Sequence, residues 1–218
     1  MMTTEPIIES DLRFGPFLEG HCFYIEKSQT YEQIKSGKRR QDELGVKTVE
    51  LILLRPDSTT NKTAIWMIEA KKTSPNPNTH GNLEKRMSKV KEALNSNLEY
   101  SDAQIEDVCV KLTPHPFNIY VGGICNKFVD ALTLFIAIYL DRHSNKHSEL
   151  SDNFKRIDLA NVRFVFVLVI KNSEEEWLIP IQEALNKALL PTIKTWNLLS
   201  PNTLVLNEDM ARQKKLII

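Results

Sequence analysis

The sequence predicts an α/β fold, a mixed β-sheet flanked by helices, and three observations lead there. Short β-branched and aromatic runs at 21–28, 46–54 and 63–72 come first and are joined by polar segments, as in a three-stranded antiparallel start. A long apolar helical pattern follows, and then "VRFVFVLVI" (162–170), whose unbroken apolarity marks a strand covered on both faces. A further helix and strand then close the chain, so strands and helices alternate in its second half.

Taken in order, "HCFYIEKS" (21–28) reads as the first strand. "QTYEQIKSGKRR" (29–40) suits a short helix ended by Gly37 and followed by a basic loop. "VKTVELILL" (46–54) and "TAIWMIEAKK" (63–72) form a hairpin. The two prolines and three asparagines of "TSPNPNTHGN" (73–82) make a loop. Leu83, Met87, Val90, Leu94 and Leu98 then recur at three- and four-residue steps, an amphipathic helix with Lys85, Arg86, Lys89 and Lys91 off its apolar stripe. Short helical or irregular structure fills 101–112, and Gly122 and Gly123 form a turn.

From about 126 to 143, Phe128, Leu132, Phe135, Ile136, Tyr139 and Leu140 trace a helix apolar nearly all round, hence deeply packed. Its apolar run, "ALTLFIAIYL", is half of the ~20 residues a bilayer crossing needs. Ser173 and Glu176 fit a capping box opening a helix that carries Ile181, Leu185 and Leu189 and ends before Pro191. "NTLVLN" (202–207) is the last strand, and a short basic tail follows it.

With 218 residues, 42% hydrophobic and 26% charged, the chain has the composition of one ordinary globular domain over 1–218, with a helical insertion at about 82–112. A net charge of zero provides no global field for nucleic acid, so such affinity has to come from local patches. Cys22, Cys109 and Cys125 are scattered and odd in number, and "MMTTEPIIESD" lacks a basic region followed by an apolar one. Reduced thiols, a cytoplasmic location and no membrane association are the expectations.

The hairpin carries the chemistry. A lone Glu-x-Lys means little, since about one is expected by chance in a chain this long. Glu69 and Lys71, however, end a strand that is otherwise apolar from Ala64 to Ile68, and alternation puts both on one face. If the turn is centred between Thr59 and Thr60, the numbers of paired residues sum to about 119 and Glu50 lies opposite Glu69. Opposed Cβ atoms are ~4.5–5.5 Å apart, close enough for both carboxylates to grip one cation. Asp57, of the literal "RPD", would be about 20 Å along the strand from Glu69 and is a decoy. Two facing carboxylates repel, so a cation is expected between them, and a hard divalent ion suits that oxygen set.

On Glu50, Glu69 and Lys71 the chain resembles the PD-(D/E)xK nuclease superfamily, the restriction-endonuclease-like fold, over about 21–170. The resemblance implies that Glu50, Glu69 and the Ala70 carbonyl hold Mg2+, with Mn2+ able to substitute, and that Lys71 orients the attacking water. It implies DNA as substrate and defence against foreign DNA as a role. Glu50 follows Val49 where the family usually has Pro-Asp, and no helix precedes residue 21 to supply a further acid, leaving Glu26 and Glu19 as candidates. Lys72, Lys85, Arg86 and Lys89 are candidate phosphate contacts, beside the "GKRR" at 37–40. With no DNA-reading module, target choice would fall to a protein partner or a homodimer. The alternative is the same fold without catalysis, acting as a binding subunit of a larger complex.

Other features read as structural. His143 and His147 are solvated, Trp66, Trp177 and Trp196 belong to the core, and Lys127 is a charge at the start of a helix.

Overall fold

A computed structural model describes residues 2–35, 45–56, 63–75, 88, 92, 115–143, 149–198 and 202–218. The chain divides into two compact units, Met1–Ser74 with Ile124–Ile218, and Pro75–Gly123. The helical insertion expected at about 82–112 falls within the second unit, and apart from Ser88 and Glu92 it lies outside the described residues.

A mixed five-stranded sheet organises the first unit. Its strands are β3 (Cys22–Phe23), β4 (Leu51–Pro56), β5 (Thr63–Thr73), β6 (Arg163–Asn172) and β7 (Thr203–Asn207), in that spatial order. The first three are antiparallel, whereas β6 runs parallel to β5 and β7 parallel to β6. Helix α2 (Pro116–Tyr139) lies between β5 and β6 in the chain, and α4 (Glu175–Trp196) between β6 and β7. Two short helices, α1 (Gln29–Lys35) and α3 (Asp152–Lys155), complete the order up to α4.

Strand alternation divides the core into two layers. Leu51, Leu53, Ile68, Ala70, Val165, Val167, Val169 and Leu206 share one face with Leu12, Phe14 and Phe17 from the amino terminus and Leu216 and Ile217 from the carboxyl terminus. The other face meets α2. Phe128 packs its ring 5.3 Å from that of Phe166, while Phe135 lies 6.3 Å from Phe164 and 6.0 Å from Phe154. By length and composition alone α2 could cross a bilayer, yet its Phe128, Ala131, Leu132 and Phe135 are fully buried within the protein.

Several expectations are corrected. The first strand stops at Phe23, because the chain turns into a single 3-10 turn at Ile25–Lys27. Helix α2 starts well before 126 and includes Gly122 and Gly123, expected as a turn. Helix burial there outweighs the roughly 1 kcal/mol that each glycine costs inside a helix. Glu174, not Ser173, is the N-cap of α4, since the Ser173 hydroxyl donates to the Glu174 carbonyl instead. That helix also runs through Pro191 and ends at Asn197, whose left-handed φ of 49° lets its N–H and that of Leu198 close the last turn on Ile193. Trp196 is exposed rather than in the core.

The expected carboxyl-terminal tail is a short helix, α5 (Glu208–Gln213), capped by the Asn207 side chain accepting from Met210 N–H. Beyond it, Leu216 and Ile217 are buried.

The amino terminus holds a hairpin that was not expected, β1 (Ile7–Glu9) and β2 (Leu12–Phe14), with Glu9 paired to Leu12. Ser10 and Asp11 between them have φ of 50° and 61°, the left-handed pair that a two-residue type I′ turn demands.

Truncating Phe135 removes a fully buried ring from three aromatic contacts. We expect Phe135→Ala to lower unfolding free energy by about 3–5 kcal/mol in denaturant titrations.

Candidate functional site

Register decides which acids meet. Every β4–β5 pair from Leu51↔Ile68 to Pro56↔Thr63 has the predicted sum, so the hairpin register is the expected one. Past the last pair, Glu50 N–H donates to the Ile68 carbonyl at 3.1 Å, which carries Glu50 alongside Glu69. Glu69 is 0% exposed and Glu50 6%, unusual values for carboxylates.

The charge between them comes from α2. Lys127 Nζ lies 2.8 Å from Glu69 Oε1 and 3.8 Å from Glu50 Oε1, so one ammonium faces both acids. Lys71 Nζ contacts the same Glu69 oxygen at 2.5 Å. The other oxygen of Glu69, Oε2, is buried and has no hydrogen-bond partner among the described residues. Lys127 is therefore part of the site and sits within α2, not at its start as expected, because the helix begins at Pro116. One turn on, Asp130 Oδ2 accepts from Lys47 N–H at 2.9 Å and anchors the segment leading to Glu50.

A second group of acids adjoins Glu50. Carboxylate oxygens of Glu9, Glu26 and Glu50 all lie within 4.8 Å of one another, a spacing that could hold a metal ion. Glu26 was a candidate additional acid, and its N–H approaches the Glu50 carbonyl at 3.5 Å. Glu19, the other candidate, is exposed and outside this group. Glu9 is the acid that sequence reasoning missed, and the β1–β2 turn delivers it. Tyr24 donates its hydroxyl to Glu9 Oε1, Ser10 Oγ donates to the Ala70 carbonyl at 3.1 Å, and Asp11 pairs with Lys72 at 2.8 Å. Each of the last three residues of the tip thus has its own anchor. The sequence signal was a Ser-Asp pair between two short runs of β-forming residues.

Among the remaining candidates, Lys72 is largely exposed and ion-paired, a contact worth little by itself. Lys85, Arg86 and Lys89, like Asp57, His147 and the basic run at 37–40, lie outside the described residues.

Burial pushes the Glu50 carboxyl up to about 9; a hydrogen bond to Glu26 and the charge of Glu69 add to this, and Lys127 opposes it. Lys127 feels the reverse balance. Burial pulls its ammonium down, but Glu69, Glu50 and Glu26 together hold it above the ordinary lysine value. Burial, the hydrogen bond to Glu9 and nearby acids raise the Tyr24 phenol as well, so it stays a donor at neutral pH.

In chemical terms the arrangement is an all-oxygen cluster of acids, two amines and a buried oxygen lacking a partner, a donor set suited to a hard divalent cation. Comparison with family models, with curated proteins and with solved structures finds no match to this chain.

A carboxyl that holds its proton to about pH 9 when folded, but only to about 4.5 when unfolded, destabilises the fold as pH rises between those values. In metal-free buffer, Glu50→Gln should therefore gain thermal stability over the parent progressively from about pH 5 to pH 9. Melting curves across that range check this, and a constant or shrinking difference contradicts it.

Proposed function

We propose that this chain is a Mg2+-dependent nuclease, or the nuclease subunit of a complex, with a restriction-endonuclease-like arrangement, hydrolysing DNA phosphodiester bonds. The observation that carries the reading is the meeting of Glu50 and Glu69 at one ammonium, with Lys71 against Glu69. This is the acid, acid and lysine set on which the resemblance rests, here in contact rather than merely in register. Antiparallel strands followed by a packed helix and a parallel strand support the reading, with the β1–β2 hairpin standing where the resemblance implies an opening helix.

Mg2+ fits the residues present. Lys71 and Lys127 partner Glu69, whereas Glu9, Glu26 and Glu50 bring three carboxyl groups within 4.8 Å of one another, so the unmet demand for positive charge lies at this three-acid group. One divalent ion would meet that demand. Glu9, Glu26 and Glu50 would hold it, with the free Oε2 of Glu69 as a further acceptor. The Ala70 carbonyl, already accepting from Ser10, has a second lone pair to offer. Such an ion lowers the pKa of bound water and offsets charge building on a phosphate.

The chain's own residues do the rest. Glu69 anchors Lys71 at the end of β5, and Lys71 there orients a water and places positive charge beside the phosphate. Tyr24 keeps Glu9 turned toward the cluster. DNA as the substrate, a role in defence, a cytoplasmic location and a partner or second copy for target choice belong to this proposal. A non-catalytic module is the second reading. It draws on Glu69 Oε1, which already accepts from both lysines as a purely structural ion pair would.

Plasmid cleavage in Mg2+ or Mn2+ separates the two. Lys71→Ala and Glu69→Gln should each reduce the cleavage rate by about 100-fold or more while remaining folded by circular dichroism. A parent inert toward every nucleic acid supports the binding-module reading.

A further inference from the structure

The metal site proposed above leaves one group without a task, the ammonium of Lys127. We propose that Lys127 is the resident counter-ion of the metal-free site, and that a divalent cation binding at Glu50 drives it off the carboxylates. The inference rests on the metal-site reading and adds a residue to it.

Four observations converge. Lys127 and Asp130 are the only charged residues of a 24-residue apolar helix, and Asp130 is used in holding the backbone of Lys47. A mostly buried ammonium on an apolar helix needs an acid to face, and it has two.

Its hold on them is unequal. At 2.8 Å it makes a hydrogen bond to Glu69, whereas 3.8 Å from Glu50 is too long for one. The Glu69 contact is also redundant, since Lys71 sits on the same oxygen at 2.5 Å. Lys127 can therefore leave without stripping Glu69 of its partner.

Geometry makes leaving the expected response. Glu50 is shared between Lys127 and the Glu9–Glu26 group, so an ion held by that group through Glu50 stands close to the ammonium. Like charges at such separations, in a site where both acids are buried, repel strongly. The Lys127 side chain is 23% exposed and unbranched, which gives it a way out to solvent. Lysine suits such a role better than arginine, being a point charge with no planar fork to lock.

Two measurements test this. Removing the competing charge should strengthen metal binding, so Lys127→Met should bind Mg2+ about tenfold tighter than the parent by calorimetry. Lys127→Arg, which retains the charge, should stay within about threefold of the parent. The second measurement uses the parent protein alone and so does not depend on a variant folding. Reductive methylation of Lys127, read by mass spectrometry, should be slow in chelator and several-fold faster in saturating Mg2+.

If Mg2+ binds and DNA is cleaved, but methylation of Lys127 is unchanged or the methionine variant binds Mg2+ no better, this inference fails and the nuclease reading survives. A parent that neither binds Mg2+ nor cleaves DNA overturns both.

Discussion

The β4–β5 register is the constraint on which the site depends. A slip of one residue would turn Glu69 and Lys71 to the opposite face of the sheet, away from α2 and into the apolar layer covered by the termini, and would move Ile65 and Met67 with them. Both faces are packed, and the apolar residues at Ile52, Leu54, Ile65 and Met67 are all at most 6% exposed, so the core itself enforces the register. The acids are placed by the same hydrophobic pattern that folds the hairpin. Parallel pairing of β5 with β6 then covers the strand from Ala64 to Thr73 along its other edge, so Glu69 projects from a strand paired on both sides.

Given that register, electrostatics determines the rest. Glu69 at full burial needs positive charge, and neighbours on its own strand supply only Lys71. Helix α2 supplies the second ammonium from the opposite layer, so the helix and the sheet are joined by charge as well as by the Phe128–Phe166 contact. Glu50 is the joint between two sets of neighbours, one cationic and one anionic. Burial and the neighbouring acids outweigh Lys127 there and raise the pKa of Glu50, which favours the neutral form in the absence of a cation.

Much of this was legible in the sequence because it follows from local periodicity. The four long strands and both long helices came from apolar patterning, and the Glu50–Glu69 pairing from the turn position alone. What was not legible depends on contacts distant in sequence. Glu9 is far from Glu50 in the chain and reaches it only because β1–β2 docks its tip on β5 through Ser10 and Asp11. Lys127 read as a charge at the start of an apolar helix, because its partners depend on where that helix begins and how it is rotated on the sheet. Pro191 and the glycine pair misled for a different reason. Rules about breakers describe isolated helices, and packing of Leu185 and Leu189 on one helix and Phe128 on the other overrides them.

Several features that cost stability occur at this one end of the sheet. A buried ion pair is weak evidence for stability, since apolar residues of similar volume often do as well or better. Among the described residues Glu69 Oε2 is a buried acceptor without a partner, Glu50 is a carboxyl whose pKa burial raises, and Lys127 interrupts an apolar helix. Ser10 and Asp11 adopt left-handed backbone at a cost of about 1–2 kcal/mol each, and their side chains hold the Ala70 carbonyl and Lys72 beside the acids. No one of these identifies a site. A fold under selection for stability alone has no reason to gather them, whereas a site that must admit a cation needs unsatisfied oxygen and a carboxyl ready to give up its proton. The concentration of unfavourable terms around Glu50 and Glu69 is thus what sets this end of the sheet apart as the candidate site.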